Sequence, residues 1–149
     1  MATINGCDFP EDLFYDVEEN VWGRLEPDGT LVMGMTDVAQ TKAGQILHVK
    51  PKKLGTVLER KKSAATVESG KWVGPVPVLF TGEVVGHNEV LKEEPIMVNK
   101  EPYGAGWVVR IRPTRLEEEK GQVLYGTAAV KAYGEKVKAE NFICFKCAK

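Results

Sequence analysis

Neither sign of charge dominates this chain: Lys and Arg number 20 against 21 Asp and Glu. That balance removes any global electrostatic reason to expect binding to nucleic acid or anionic lipid. Long apolar runs are also missing. The longest, residues 76–80, is interrupted by Pro77 and is far too short to span a bilayer. Residues 1–20 hold Asp8, Glu11, Asp12, Asp16, Glu18 and Glu19 and no Lys or Arg, so the basic start and apolar stretch of a secretory signal are absent. A cytoplasmic location is expected, with no membrane and no nucleic-acid partner. Histidine is scarce. His48 and His87 lie on strand-like segments, read as structural, and form no zinc pattern with Cys144 and Cys147, so no metal site is expected. The three cysteines, Cys7, Cys144 and Cys147, are an odd count without an export signal, which argues against a disulfide framework and for reduced thiols. No triad and no phosphate loop points to catalysis by this chain alone.

What is present is ordinary globular material. The 149 residues are 43% hydrophobic and 28% charged, the size and composition of one domain, expected over residues 1–149 with an acidic N-terminal segment and a Cys-x-x-Cys tail. Short strand-like runs alternate with Gly and Pro. Residues 21–25 and 30–35 flank Glu26-Pro27-Asp28-Gly29, which predicts a β-hairpin. Thr36 or Asp37 caps a short helix that ends at Gly44. Further strands are predicted over residues 45–49, 56–58, 64–68, 72–78, 82–86 and 107–112, with a loop over 99–106. Such spacing favours an antiparallel sandwich or barrel. Thr114 is the expected cap of a charged helix to Lys120. In residues 127–140, Ala129, Val130, Tyr133 and Val137 recur on one helical face, with Gly134 as a weak point. The expectation is a β core with a C-terminal helical cover.

Two strand-like runs meet at Ser69-Gly70, and Lys71 stands at the junction. A tight turn lifts its amine clear of the sheet. A lysine in a surface turn is usually just solvated, so the turn alone assigns no role. Three stretches in order change the balance: Gly34-Met35-Thr36-Asp37-Val38-Ala39-Gln40, then Glu68-Ser69-Gly70-Lys71, then Asn99-Lys100-Glu101-Pro102-Tyr103-Gly104-Ala105-Gly106-Trp107. Together they resemble the glycine cleavage H-protein family over roughly residues 15–135. The resemblance implies a flattened antiparallel barrel or sandwich of the lipoyl (barrel-sandwich hybrid) type. It also implies a non-enzymatic carrier with lipoate covalently attached to Lys71, and Glu68, Ser69, Gly70 and Trp72 around the attachment point. Lipoate ligase and dihydrolipoamide dehydrogenase are the implied partners. Biotinyl carriers hold their lysine between methionines, whereas Gly70 and Trp72 flank Lys71.

The sequence departs from that family at several points. Asn20 stands where the family has a histidine near the loaded arm. Trp72 replaces a small residue, and its role is divided evenly between strand packing and a surface for the arm or a partner. Glu101 replaces an aspartate, a mild change. Cys144 and Cys147 lie on an extra tail, read as two inert thiols or, less favoured, a redox pair. The segment from Glu68 to Pro75 is similar to the lipoate-binding proteins of bacterial sulfur oxidation, which work with a heterodisulfide-reductase-like complex. The resemblance thus implies a carrier of sulfur-bound intermediates. The alternatives are an H protein carrying aminomethyl groups, a thiol-redox or zinc-binding module, and an interaction domain that has lost lipoylation. Lys50, Lys52 and Lys53, and Arg60-Lys61-Lys62, are solvated surface or a face that steers an acidic partner.

Overall fold

The computed structural model describes residues 1–145, so Lys146, Cys147 and Lys149 lie outside the described residues. Twelve strands run β1 (Ala2–Ile4), β2 (Cys7–Phe9), β3 (Phe14–Asp16), β4 (Val21–Leu25), β5 (Leu31–Met35), β6 (Ile46–Pro51), β7 (Val57–Leu58), β8 (Ser63–Ser69), β9 (Val73–Pro77), β10 (Gly82–His87), β11 (Val109–Pro113) and β12 (Leu124–Tyr125). Five α-helices join them: α1 (Asp37–Ala43), α2 (Val90–Glu93), α3 (Met97–Lys100), α4 (Leu116–Glu119) and α5 (Thr127–Ala139). Seven strands form one sheet in the order β12-β3-β4-β5-β11-β10-β7, three form a second in the order β6-β8-β9, and β1 pairs with β2. Every pairing is antiparallel.

The two larger sheets share one apolar core. Leu31, Met33 and Ile111 from the first meet Ala65, Val67 and Val76 from the second, all fully buried. This is the two-sheet arrangement expected from the strand spacing. The β4–β5 hairpin closes as the Pro-Asp-Gly sequence dictates: Gly29 N donates to Glu26 O, Gly29 takes φ +87°, and Asp28 accepts from Thr30 N and Oγ1.

A second core lies on the outer face of the seven-stranded sheet, where α5 lays Ala129, Val130, Tyr133 and Val137 over Tyr15, Trp22 and Val32. The periodicity of the sequence had marked those helix residues. Gly134 has a packing reason, because a Cβ there would lie 2.9 Å from Ile4 Cδ1. The N-terminal strand and helix approach each other at that point.

Several expectations need correction. The N-terminal segment is not merely acidic: it supplies β1, β2 and β3, with Cys7 and Phe9 at 0% exposure. Thr114 does not cap α4, which starts after Arg115 with no side-chain cap. Residues 99–106 begin inside α3 rather than in a loop. The cysteine expectation fails most clearly. Cys7 and Cys144 form a disulfide across 137 positions, and Cys144 is 5% exposed instead of lying on a free tail. The odd count misled because it weighed all three cysteines equally, whereas strand β2 and the chain end converge on α5.

The staple yields a prediction. Replacing both Cys7 and Cys144 by Ser is expected to lower stability by about 2–4 kcal/mol in non-reducing urea denaturation, the usual range for a long closed loop. Reductant should bring the wild type down to the variant's midpoint. Equal midpoints without reductant would show that the bond contributes nothing.

Candidate functional site

The turn between β8 and β9 presents Lys71. Glu68 pairs across the sheet with Val73, and Ser69 N donates to Trp72 O at 2.8 Å to close the turn. The buried Ser69 hydroxyl accepts from Lys71 N at 3.2 Å and donates to Trp72 O at 3.4 Å. One serine therefore fixes the backbone on both sides of the lysine. Glu68, Gly70 and Lys71 are exposed. Gly70 has open space at its Cβ position and no positive φ, so nothing in the backbone demands glycine there.

The Lys71 stem leans on the end of α1. Gly44, the residue that closes α1, has φ +83°, and a Cβ there would lie 3.0 Å from Lys71 Cε. Any other residue at Gly44 would strain the backbone and crowd the lysine together. At the other end of α1, Thr36 is the cap: its hydroxyl accepts from Ala39 N at 3.3 Å.

A cleft of about 280 Å³ opens beside this turn, lined by Val21, Met35, Ala39, Trp72, Pro75 and Pro77 with Glu19, Asn20, Lys42 and Ala43. Trp72 is one of its walls. The ring packs against Gly74 of the adjoining strand β9, and it is still 37% exposed. Asn20 forms the polar floor. It takes φ +59°, a left-handed conformation that asparagine accepts more readily than most residues. Its Oδ1 accepts from Tyr133 Oη at 2.9 Å and Lys136 Nζ at 3.4 Å. Burial pushes the Tyr133 hydroxyl above its ordinary range. Burial, and then the neighbouring charge of Lys42, hold the Lys136 amine below its usual value.

Other candidates fall elsewhere. His48 stands beside Glu68 in the β6–β8 register, exposed, while His87 Nε2 lies 2.7 Å from Lys52 O. No cluster of His, Cys, Asp or Glu suited to a metal occurs among the described residues. Cys144 is tied to Cys7 and is not available as a thiol pair with Cys147. The basic clusters separate: Arg60 Nη2 bonds Asp16 at 2.9 Å and Lys61 bonds Glu18 at 2.9 Å, whereas Lys50, Lys52 and Lys53 have no ion pair among the described residues. Sequence reasoning missed Lys42 at the cleft and Lys136, which reaches the cleft residue Asn20. Lys42 sits on a helix read only for its cap, and Lys136 lies on the polar side of α5. Among the described residues no helix is long and apolar enough to cross a membrane.

A two-sheet β-domain with a lysine at a hairpin turn and a helical cover is the lipoyl barrel-sandwich architecture. The chain belongs to the glycine cleavage H-protein family, whose profile matches residues 13–138. It is 41% identical over 145 residues to glycine cleavage system H protein 3 of Aquifex aeolicus, covering 95% of this chain and 90% of that one. It is 44% identical over 146 residues to a probable glycine cleavage system H protein 2 of Saccharolobus solfataricus, covering 97% and 98%. The crystal structure of a glycine cleavage system H protein from Mycobacterium marinum superimposes with a TM-score of 0.74 at 27% identity, covering 85% of this chain and 99% of that one. Members of the family carry lipoate covalently attached to a lysine. The cleft's apolar walls of Val21, Met35, Trp72 and Pro75 suit an alkyl arm bearing a cyclic disulfide.

The packing of Trp72 on Gly74 can be tested. Gly74→Ala puts a methyl group into the indole and should displace the ring from the cleft. The Trp72 indole N–H resonance should shift, acrylamide quenching should rise, and stability should fall by about 1 kcal/mol. An unchanged indole resonance would show that the ring does not rest there.

Proposed function

We propose that this chain is a lipoyl carrier rather than a catalyst, with Lys71 as its attachment site. The observation that carries the reading is the Ser69-pinned turn, which holds an exposed lysine next to Trp72, a wall of a largely apolar cleft. When bound, the lipoyl group supplies a dithiol–disulfide couple at the end of a flexible arm. The protein's own residues set the base of that arm. Ser69 fixes the backbone, Gly44 leaves room for the lysine stem, and Glu68 and Gly70 keep the turn open to an acylating enzyme. Lipoate ligase and dihydrolipoamide dehydrogenase are the partners of this reading, in the cytoplasm, and Lys50, Lys52 and Lys53 offer a basic face for an acidic surface.

The cargo has two readings. The relatives' names support glycine cleavage, with an aminomethyl group on the arm, and the comparisons favour this one. A sulfur-bound cargo exchanged with a heterodisulfide-reductase-like complex has support from the cleft. There Asn20, which does not titrate in the physiological range, replaces the family's histidine beside Trp72.

Lys71→Arg keeps the charge but cannot be acylated in the same way. After incubation with lipoate ligase, mass spectrometry should find one lipoyl group on the wild type, on the Lys71 peptide, and none on the variant. Thermal unfolding should be nearly unchanged, as expected for an exposed side chain. Lipoylation at another lysine overturns the assignment. For the cargo, the lipoylated protein is mixed with the decarboxylase and aminomethyltransferase of glycine cleavage. Glycine-dependent carbon dioxide exchange at the rate of an H protein would select the aminomethyl reading. Negligible exchange, with the arm still cycled by dihydrolipoamide dehydrogenase, would select the other.

A further inference from the structure

Cys7 and Cys144 both lie outside residues 13–138, the stretch matched by the family profile, so the bond between them is an addition to the shared domain. What it holds in place is specific. Cys144 N donates to Asn5 O at 3.0 Å, and Asn5 Nδ2 donates to Phe142 O at 3.1 Å. Gly6 makes room for this approach: it takes φ +76°, and a Cβ there would lie 2.7 Å from Cys144 O. One residue further on, Phe145 O accepts from Gln40 Nε2 at 3.1 Å and from Thr41 Oγ1 at 3.4 Å. Both donors belong to α1, and both are buried. Lys42, the next residue of α1, holds its ammonium 5.4 Å from the centre of the Phe142 ring.

These contacts end at the lysine's support. Gln40 O accepts from Gly44 N at 3.1 Å, and Gln40 Oε1 shares Asn99 Nδ2 with Gly44 O. Gly44 is the residue against which the Lys71 stem rests. A contiguous run of bonds thus leads from the disulfide through Phe145 and Gln40 to the bed of Lys71, and its first link is held by the neighbouring half-cystine. The apolar cluster between the two larger sheets contains no cysteine, so the sheets stay packed whether the bond is closed or open. In a reducing cytosol a disulfide is usually a transient, redox-sensing bond, with hyperthermophile proteins as the exception.

We propose that Cys7–Cys144 is a redox latch on the Lys71 site: the closed bond braces α1 and Gly44 under the lysine, and reduction by a protein dithiol loosens that support. The inference rests on the carrier reading at Lys71 and adds a control to the same site. The reaction is dithiol–disulfide exchange. Cys144 is the less buried partner, at 5% exposure against 0% for Cys7, and local opening of residues 143–145 uncovers its sulfur. A thiolate of the dithiol attacks Cys144 Sγ. The S–S bond breaks, and Cys7 Sγ leaves as a thiolate that takes up a proton. The second thiol then displaces Cys144 from the mixed disulfide, and the dithiol closes into a disulfide of its own. Two electrons and two protons pass to the protein in total. Once the tail is released, Gln40 and Thr41 lose Phe145 O as an acceptor, and the end of α1 loses its brace.

The test uses the full chain before lipoylation, in a Cys147→Ser background so that only one pair can exchange. The protein is equilibrated without denaturant in buffers of graded reduced-to-oxidised dithiothreitol ratio, and its thiols are counted by maleimide labelling and mass spectrometry. The bond should open while the fold is retained. In ¹H–¹⁵N spectra, reduction should shift or broaden the Gln40 side-chain amide and the Gly44 and Lys71 backbone amides, and leave Gly29 of the β4–β5 turn unmoved. Acylation of Lys71 by lipoate ligase should be roughly two- to tenfold slower on the reduced form, the scale of re-ordering one side chain at a binding step. The Cys7→Ser, Cys144→Ser double variant, assayed without reductant, should reproduce the reduced form. Opening only in denaturant, unmoved Gln40, Gly44 and Lys71 resonances, or equal and measurable acylation rates in the two forms would each make the bond a permanent staple and overturn the proposal. No acylation of either form would overturn the carrier reading alone, and the resonances would still decide the latch.

Discussion

The fully buried side chain of Asn99 ties the site together. Its Oδ1 accepts from Ile46 N at 2.8 Å, and its Nδ2 donates to Gly44 O at 2.8 Å and Gln40 Oε1 at 3.1 Å. Those bonds fasten the end of α1 to the first residue of β6, and β6 pairs with the strand that leads to Lys71. The lysine's bed at Gly44 is thus fixed by a residue 55 positions downstream. A fully buried amide needs hydrogen-bond partners, and here protein groups supply them, which helps a short helix of 7 residues keep its place.

Around that centre the same logic repeats. Tyr103 Oη donates to Asp8 O and accepts from Asp37 N, and Asp37 Oδ2 accepts from Asp8 N. Trp22 Nε1 donates to Met35 O and Pro102 O. Strand β2, helix α1 and the 99–107 segment are therefore locked as one block, and the arm's hairpin leans on it. The cleft is the seam between that block and β9, which explains why apolar walls and a polar floor occur side by side.

Much of this was legible in the sequence, for uneven reasons. Asp28-Gly29 and Thr36 carry their conformations locally, so the β4–β5 hairpin and the cap of α1 follow from turn chemistry alone. The helical face of Ala129, Val130, Tyr133 and Val137 follows from periodicity. Of the three stretches that resemble the H-protein family, the first and third are far apart in sequence, but Gln40, Asn99 and Tyr103 show why they travel together: they are partners in one hydrogen-bond network. Residues 1–16 were opaque because strands of three residues show almost no alternation. The Cys7–Cys144 bond was opaque because pairing depends on convergence in space, not on count. Lys42 and Lys136 were opaque because nothing in a polar helix face says which lysine comes near the cleft.

The bond between Cys7 and Cys144 also changes the topology of the chain. Residues 7–144 become a covalent ring in the folded and the unfolded state alike. Cleavage at an exposed loop, such as beside Leu54 with 62% of its surface exposed, would open the ring without releasing a fragment. A nicked molecule would keep the mass of the intact one, plus a water, until a reductant separated its two halves. The first and last segments would then cease to be neighbours, and the carrier would tolerate damage to its backbone only as long as its surroundings stayed oxidising.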